Sequence, residues 1–181
     1  MYDKLDEVSF KELLGYSIKG EKVAHKNYLK LANKTKGLMS NKFEDLAKDE
    51  KRHAKELLKL HKMEFGDKDY VVPEVEGLPP HEGEFIEKIE NVRNLIEAID
   101  LSMKAEDNAY EIYKYLAKNN EKYRTLFKYI ALMEKGHYES LKAEKYLYES
   151  GADRSERPGK RYTSSFEEMA EVSVEDTYKR I

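Results

Sequence analysis

The chain has 181 residues, enough for one domain with a sizeable core and too few for two comfortable ones. Charged residues make up 38% of it, yet 33 Lys and Arg against 36 Asp and Glu leave a net charge of −3, which gives no electrostatic basis for binding nucleic acid or an anionic membrane. Without a single cysteine, disulfides, zinc ribbons, thiolate iron sites and thiol catalysis are excluded, so any metal must sit on nitrogen and oxygen. The opening MYDKLDEVSF carries acids where a secretory signal carries bases, and no apolar run nears the roughly 20 residues that span a bilayer. The expectation is a cytoplasmic protein.

Pro and Gly are rare and clustered, leaving two long Pro-free stretches that each read as a helical pair. The first helix is expected from Ser9, with Glu12 three residues on as a capping box, to about residue 35, where KGLMSN breaks it. A second spans about 41–65. The next segment, GDKDYVVPEVEGLPPHEG, holds all but one of the prolines and reads as a crossover. Helix three is expected over about 84–118 and helix four over about 120–150, with Gly151 as a stop. The short connections make helices one and two antiparallel, and likewise three and four. Extended at about 3.3 Å per residue, the crossover reaches on the order of 60 Å, enough to run the length of a helix rising about 1.5 Å per residue. Helix three can then start beside the start of helix two, which gives an up-down-down-up bundle over residues 1–150. Residues 151–181 read as a polar linker and a short helix near 166–179, opened by Ser164 or Ser165.

The chain is a helix pair written twice. EKVAHKNYLKLA, from Glu21, aligns with EDNAYEIYKYLA, from Glu106, matching Glu, Ala, Tyr, Leu and Ala in register. At nearly the same offset EDLAKDEKRHAKELLKL falls over KYIALMEKGHYESLKAE, placing Glu50 and His53 on Glu134 and His137. Taking every third or fourth residue as the inward seam, helix one offers Leu14, Ser17, Glu21, Ala24, Tyr28 and Leu31, and helix two offers Phe43, Leu46, Glu50, His53, Leu57 and Leu60. Helix three offers Leu95, Ile99, Ser102, Glu106, Tyr113 and Leu116; helix four offers Phe127, Ile130, Glu134, His137 and Leu141. Every seam thus carries a Glu at mid-length. Four carboxylates drawn out of water repel one another and lose hydration, so something positive must join them. Two divalent cations balance four carboxylates, and carboxylate oxygens with two imidazoles suit iron or manganese. Residues i and i+3 share a helix face, so Glu50 with His53, and Glu134 with His137, can each point to a common centre. Two E-x-x-H helices plus one Glu from each of the others is the ligand set of dinuclear carboxylate bundles.

Tyr28 and Tyr113 read either as core aromatics or as hydroxyls bonding a ligand carboxylate. His25 reads as a helix-face residue, its repeat partner being Tyr110, while His61 and His81 read as solvated. With E-x6-Y at Glu21/Tyr28 and Glu106/Tyr113 and E-x-x-H at Glu50/His53 and Glu134/His137, residues 8–150 resemble the rubrerythrin-type branch of the ferritin-like superfamily. The resemblance implies an all-α ferritin-like four-helix bundle. It also implies two iron ions, with Glu50 and Glu134 bridging and Glu21, Glu106, His53 and His137 terminal, and reduction of hydrogen peroxide or dioxygen. Oxidation of ferrous iron for handling or storage, a dimanganese catalase-like use, and a non-enzymatic helical protein with protonated inward acids are the alternatives. The tail lacks the four cysteines of a rubredoxin module, so electrons would come from a separate donor protein. Met103 and Ala109 flank Glu106 where such proteins carry an extra carboxylate one turn along, a departure that weakens the peroxidase reading. A homodimer is expected.

Overall fold

The computed structural model describes residues 2–67, 69–73, 78, 81 and 92–150. Four long helices dominate them: α1 (Phe10–Lys34), α2 (Leu38–Phe65), α3 (Val92–Asn119) and α4 (Arg124–Glu149). Short 3-10 helices at Tyr2–Glu7 and Glu121–Tyr123 precede α1 and α4. The α1 start is the expected capping box: the Ser9 hydroxyl accepts from the Glu12 backbone N–H, and the Glu12 carboxylate accepts from the Ser9 backbone N–H at 3.0 Å. Helix two begins at Leu38, three residues earlier than expected. Gly37, at φ 63°, turns the chain within a single residue, and the helix resumes at once after it. Helix four begins later than expected because residues 121–123 wind more tightly first. The proposed start of helix three at residue 84, the Gly151 stop and the short helix in the tail lie outside the described residues.

α1 packs along α2 and α3 along α4, whereas α1 and α3 touch sparsely. The direction of each helix can be read from the contacts across the bundle. Tyr28 of α1 reaches Glu106 of α3 while Tyr113 of α3 reaches Glu21 of α1, so these two helices run antiparallel. His53 of α2 lies by Glu134 of α4, and His137 by Glu50, so this pair is antiparallel too. The result is the up-down-down-up ferritin-like bundle, and its reciprocal contacts are those of two repeats related by a twofold axis.

The apolar seam residues fall into two layers. One, around Leu13, Leu14, Leu57, Leu60, Ile112, Leu116, Phe127 and Ile130, fills one end. The other, around Leu31, Met39, Phe43, Leu46, Leu95, Ile99 and Leu141, fills the opposite end. Each buried Leu, Ile or Phe contributes roughly 1.5–3 kcal/mol, and together they keep water from the mid-length residues between the layers. Tyr70, Val71 and His81 of the crossover lie against α1. A Cβ on Gly15 would lie 2.1 Å from the Val71 carbonyl oxygen, so only glycine lets the segment lie flat there. Tyr16 is buried on the same helix, and the His81 ring lies 4.1 Å from its ring. His81 is therefore half-buried and not solvated. His61 is also a correction: it is fully buried, its Nδ1 3.0 Å from the Asp67 carbonyl, because the end of α2 folds its own cap over the ring.

Candidate metal centre

Between the two apolar layers the four helices bring all six sequence-selected polar residues together. Glu21, Glu50, His53, Glu106, Glu134 and His137 are each at most 5% exposed. Their donor atoms form two groups, Glu21–Glu50–His53–Glu134 and Glu50–Glu106–Glu134–His137, and within each group one atom per residue lies within 4.8 Å of the others. Glu50 and Glu134 belong to both. In the first group His53 Nδ1 is 2.9 Å from Glu134 and 3.4 Å from both Glu21 and Glu50. In the second, His137 Nδ1 is 2.9 Å from Glu50, 3.4 Å from Glu134 and 3.6 Å from Glu106. The two imidazoles face one another nearly parallel, with ring centroids 5.9 Å apart.

These approaches are close without being hydrogen bonds. Glu21 Oε2, Glu50 Oε1, Glu134 Oε1 and both Nδ1 atoms are buried with no hydrogen-bond partner among the described residues. Leaving so many polar atoms unsatisfied costs about 1–3 kcal/mol each, a cost that a pair of cations accepting their lone pairs would remove. The donor set fits two hard or borderline divalent ions: each group offers three carboxylates and one nitrogen, and the shared carboxylates can serve both ions.

Tyr28 and Tyr113 hold the outer carboxylates. The Tyr28 hydroxyl donates to Glu106 and the Tyr113 hydroxyl to Glu21, each reaching across to the other repeat's carboxylate. Of the two readings of these tyrosines, both apply: each ring is buried in an apolar layer and each hydroxyl orients a carboxylate. His25 lies outside the centre, its Nδ1 2.7 Å from the Ala47 carbonyl. Asp49 was not singled out from the sequence, yet its Oδ2 lies 3.4 Å from His137 Nε2 while its Oδ1 pairs with Arg52 at 2.9 Å.

The electrostatics without bound metal follow from crowding. Burial, then the charges of Glu134 and Glu50, raises the Glu21 carboxyl well above the usual range, and burial, then Glu50 and Glu134, does the same to Glu106. Burial and Glu134 also push Glu50 upward, but the two histidines outweigh them and bring it down to about 2. Glu134 is lowered as well, the histidines overcoming burial. Burial opposes charge on His53, but Glu134 and its other carboxylate neighbours raise it well above the ordinary imidazole range. His137 is raised likewise against burial by Glu50, Asp49, Glu106 and Glu134. The raised groups favour their protonated forms and the lowered carboxylates their charged forms, so proton uptake offsets part of the crowding of four carboxylates.

A cavity of about 180 Å³ opens between α1 and α3, and all four carboxylates line it. The opening exists because its walls are small: Ser17, Gly20 and Ala24 on one side, and their repeat mates Ser102, Ala105 and Ala109 on the other. His81 borders it, its pKa pushed down by burial. No described helix is long and apolar enough to cross a membrane.

The family model described as rubrerythrin matches residues 12–145. Among solved structures, a hypothetical protein from Pyrococcus furiosus is similar at 36% identity and a TM-score of 0.75, over 82% of this chain and 96% of that one. A search of curated proteins gave no match.

Proposed function

This chain belongs to the rubrerythrin family, and from that premise we propose that it is a non-haem diiron oxidoreductase that reduces hydrogen peroxide or dioxygen. Glu21, Glu50, His53 and Glu134 would hold one ion and Glu50, Glu106, Glu134 and His137 the other. The observation that carries the reading is the pair of buried donor groups sharing Glu50 and Glu134, with atoms of Glu21, Glu50, His53, Glu134 and His137 that have no hydrogen-bond partner among the described residues. Iron, when bound, supplies one electron per ion, which matches the two electrons that, with two protons, convert hydrogen peroxide into two waters.

The chain's own residues would do the rest. The cleft between α1 and α3 admits a small oxidant to the face of the centre lined by the four carboxylates. The apolar layers on either side limit water, so charge on the carboxylates acts in a low-dielectric setting. Tyr28 and Tyr113 fix the rotamers of Glu106 and Glu21, leaving Glu50 and Glu134 to serve both ions. With no cysteine in the chain, a separate electron-donor protein would restore the ferrous state.

The test is to load the chain with ferrous iron without oxygen and add one equivalent of hydrogen peroxide. Peroxide should disappear with two ferrous ions oxidised per molecule, and E50A should lose both effects. Peroxide persisting beside a fully loaded ferrous protein would refute the reading, and continued iron uptake beyond two per chain would favour iron storage instead.

A further inference from the structure

The internal repeat that builds the centre is not exact beside the ligands. Aligning Glu50 with Glu134 and His53 with His137 puts Asp49 opposite Met133. The break has a structural consequence. His137 Nε2 faces the Asp49 carboxylate at 3.4 Å, while His53 Nε2, on a ring only 1% exposed, is buried without a hydrogen-bond partner among the described residues. The residue that the same twofold relation would bring to His53 is a thioether, which cannot take up a ring N–H as a carboxylate does. Asp49 is in turn tied to Arg52 at 2.9 Å on the half-exposed surface of α2, so its carboxylate is held in place.

A carboxylate on the far nitrogen of a metal-binding imidazole fixes the tautomer that leaves the near nitrogen free to coordinate, and it makes that nitrogen a better donor. One histidine of this centre has such a partner and the other does not. We propose that Asp49 makes the two halves of the centre inequivalent, so that the half built on Glu106 and His137 takes its divalent cation first and holds it more tightly than the half built on Glu21 and His53. This inference rests on the dinuclear reading and adds an order of filling to it. Asp49 acts through His137 as a positioning residue. It also leaves the Glu21–His53 half as the one whose ion exchanges more readily.

Anaerobic titration of cobalt(II) into the full-length chain, followed by its visible absorption and by calorimetry, tests the order without any turnover. The wild-type chain should bind two ions in resolved steps. D49N should weaken the first step by about 10- to 100-fold and change the second far less, because the lost carboxylate touches His137 and reaches His53 only through its charge. A purely structural role for Asp49 would shift both steps together and lower thermal stability, and that outcome would overturn the proposal. M133D supplies the missing mate and should strengthen the second step instead. E106A should remove the tight step while E21A keeps it; the reverse would overturn the proposal. A D49N titration superimposable on wild type would sink the inequivalence while leaving the dinuclear centre standing, whereas a wild-type chain that binds no cobalt would sink the dinuclear reading itself.

Discussion

Loading the centre with metal should expel the protons that neutralise it in the metal-free chain. Burial and the charges of Glu134 and Glu50 favour the protonated forms of Glu21 and Glu106, and the carboxylates around them favour the protonated forms of His53 and His137. Coordination requires all four groups to be deprotonated, so two divalent ions should displace up to four protons as they bind. Each proton displaced changes the apparent affinity tenfold per pH unit, about 1.4 kcal/mol, which makes at most about 5 kcal/mol per pH unit for the pair. Calorimetry in two buffers of different ionisation enthalpy, or base uptake in an unbuffered titration, counts these protons directly. Release of one proton or none would refute the charge inventory. The same inventory fixes the sign of the metal-free stability. Raised carboxyls and raised imidazoles mean that the folded chain binds more protons than the unfolded one, so metal-free stability should fall as pH rises from about 4.5 through the imidazole range. Glu50 and Glu134, whose folded values are lowered, act in the opposite sense and withdraw their support only as the pH falls below about 4.5. Metal-free melting temperatures that climb steadily between pH 5 and 8 would contradict this assignment.

Two further outcomes follow from specific contacts. Gly15→Ala places a methyl group against the Val71 backbone carbonyl, which cannot turn aside like a side-chain end, and should destabilise the chain by roughly 1–3 kcal/mol in urea unfolding, whereas Gly136→Ala, where a Cβ meets nothing nearby, should not. Tyr28→Phe and Tyr113→Phe remove the hydroxyls that orient Glu106 and Glu21, and each should lower metal affinity by about 10- to 100-fold with the bundle still folded; affinities unchanged in both would mean the hydroxyls are only packing groups.

Much of the architecture was legible because local signals and the bundle agree. The capping box at Ser9, the spacing of Leu14, Glu21, Tyr28 and Leu31 and the length of the crossover all follow from helix geometry alone, and the repeat doubled each signal. All six proposed ligands fell on the seams for the same reason. What escaped depends on how elements cross. Asp49 lies one position before Glu50, off the seam of its own helix, and only the approach of α4 brings His137 to it. The burial of Tyr16 and His61 arises from segments folded over them, the crossover in one case and the end of α2 in the other, and a helical period carries no record of a loop's path. The early start of α2 hung on Gly37, whose left-handed backbone turns the chain in one residue where the sequence suggested a longer break.

The proposition that two cations neutralise six converging side chains is tested most directly by metal content. Protein purified under reducing, anaerobic conditions should contain about two ions per chain when iron, manganese and zinc are quantified together, and the E50A, E134A double variant should contain none. A wild-type chain free of metal, yet as stable as the same chain after incubation with ferrous iron or manganese, would contradict the account.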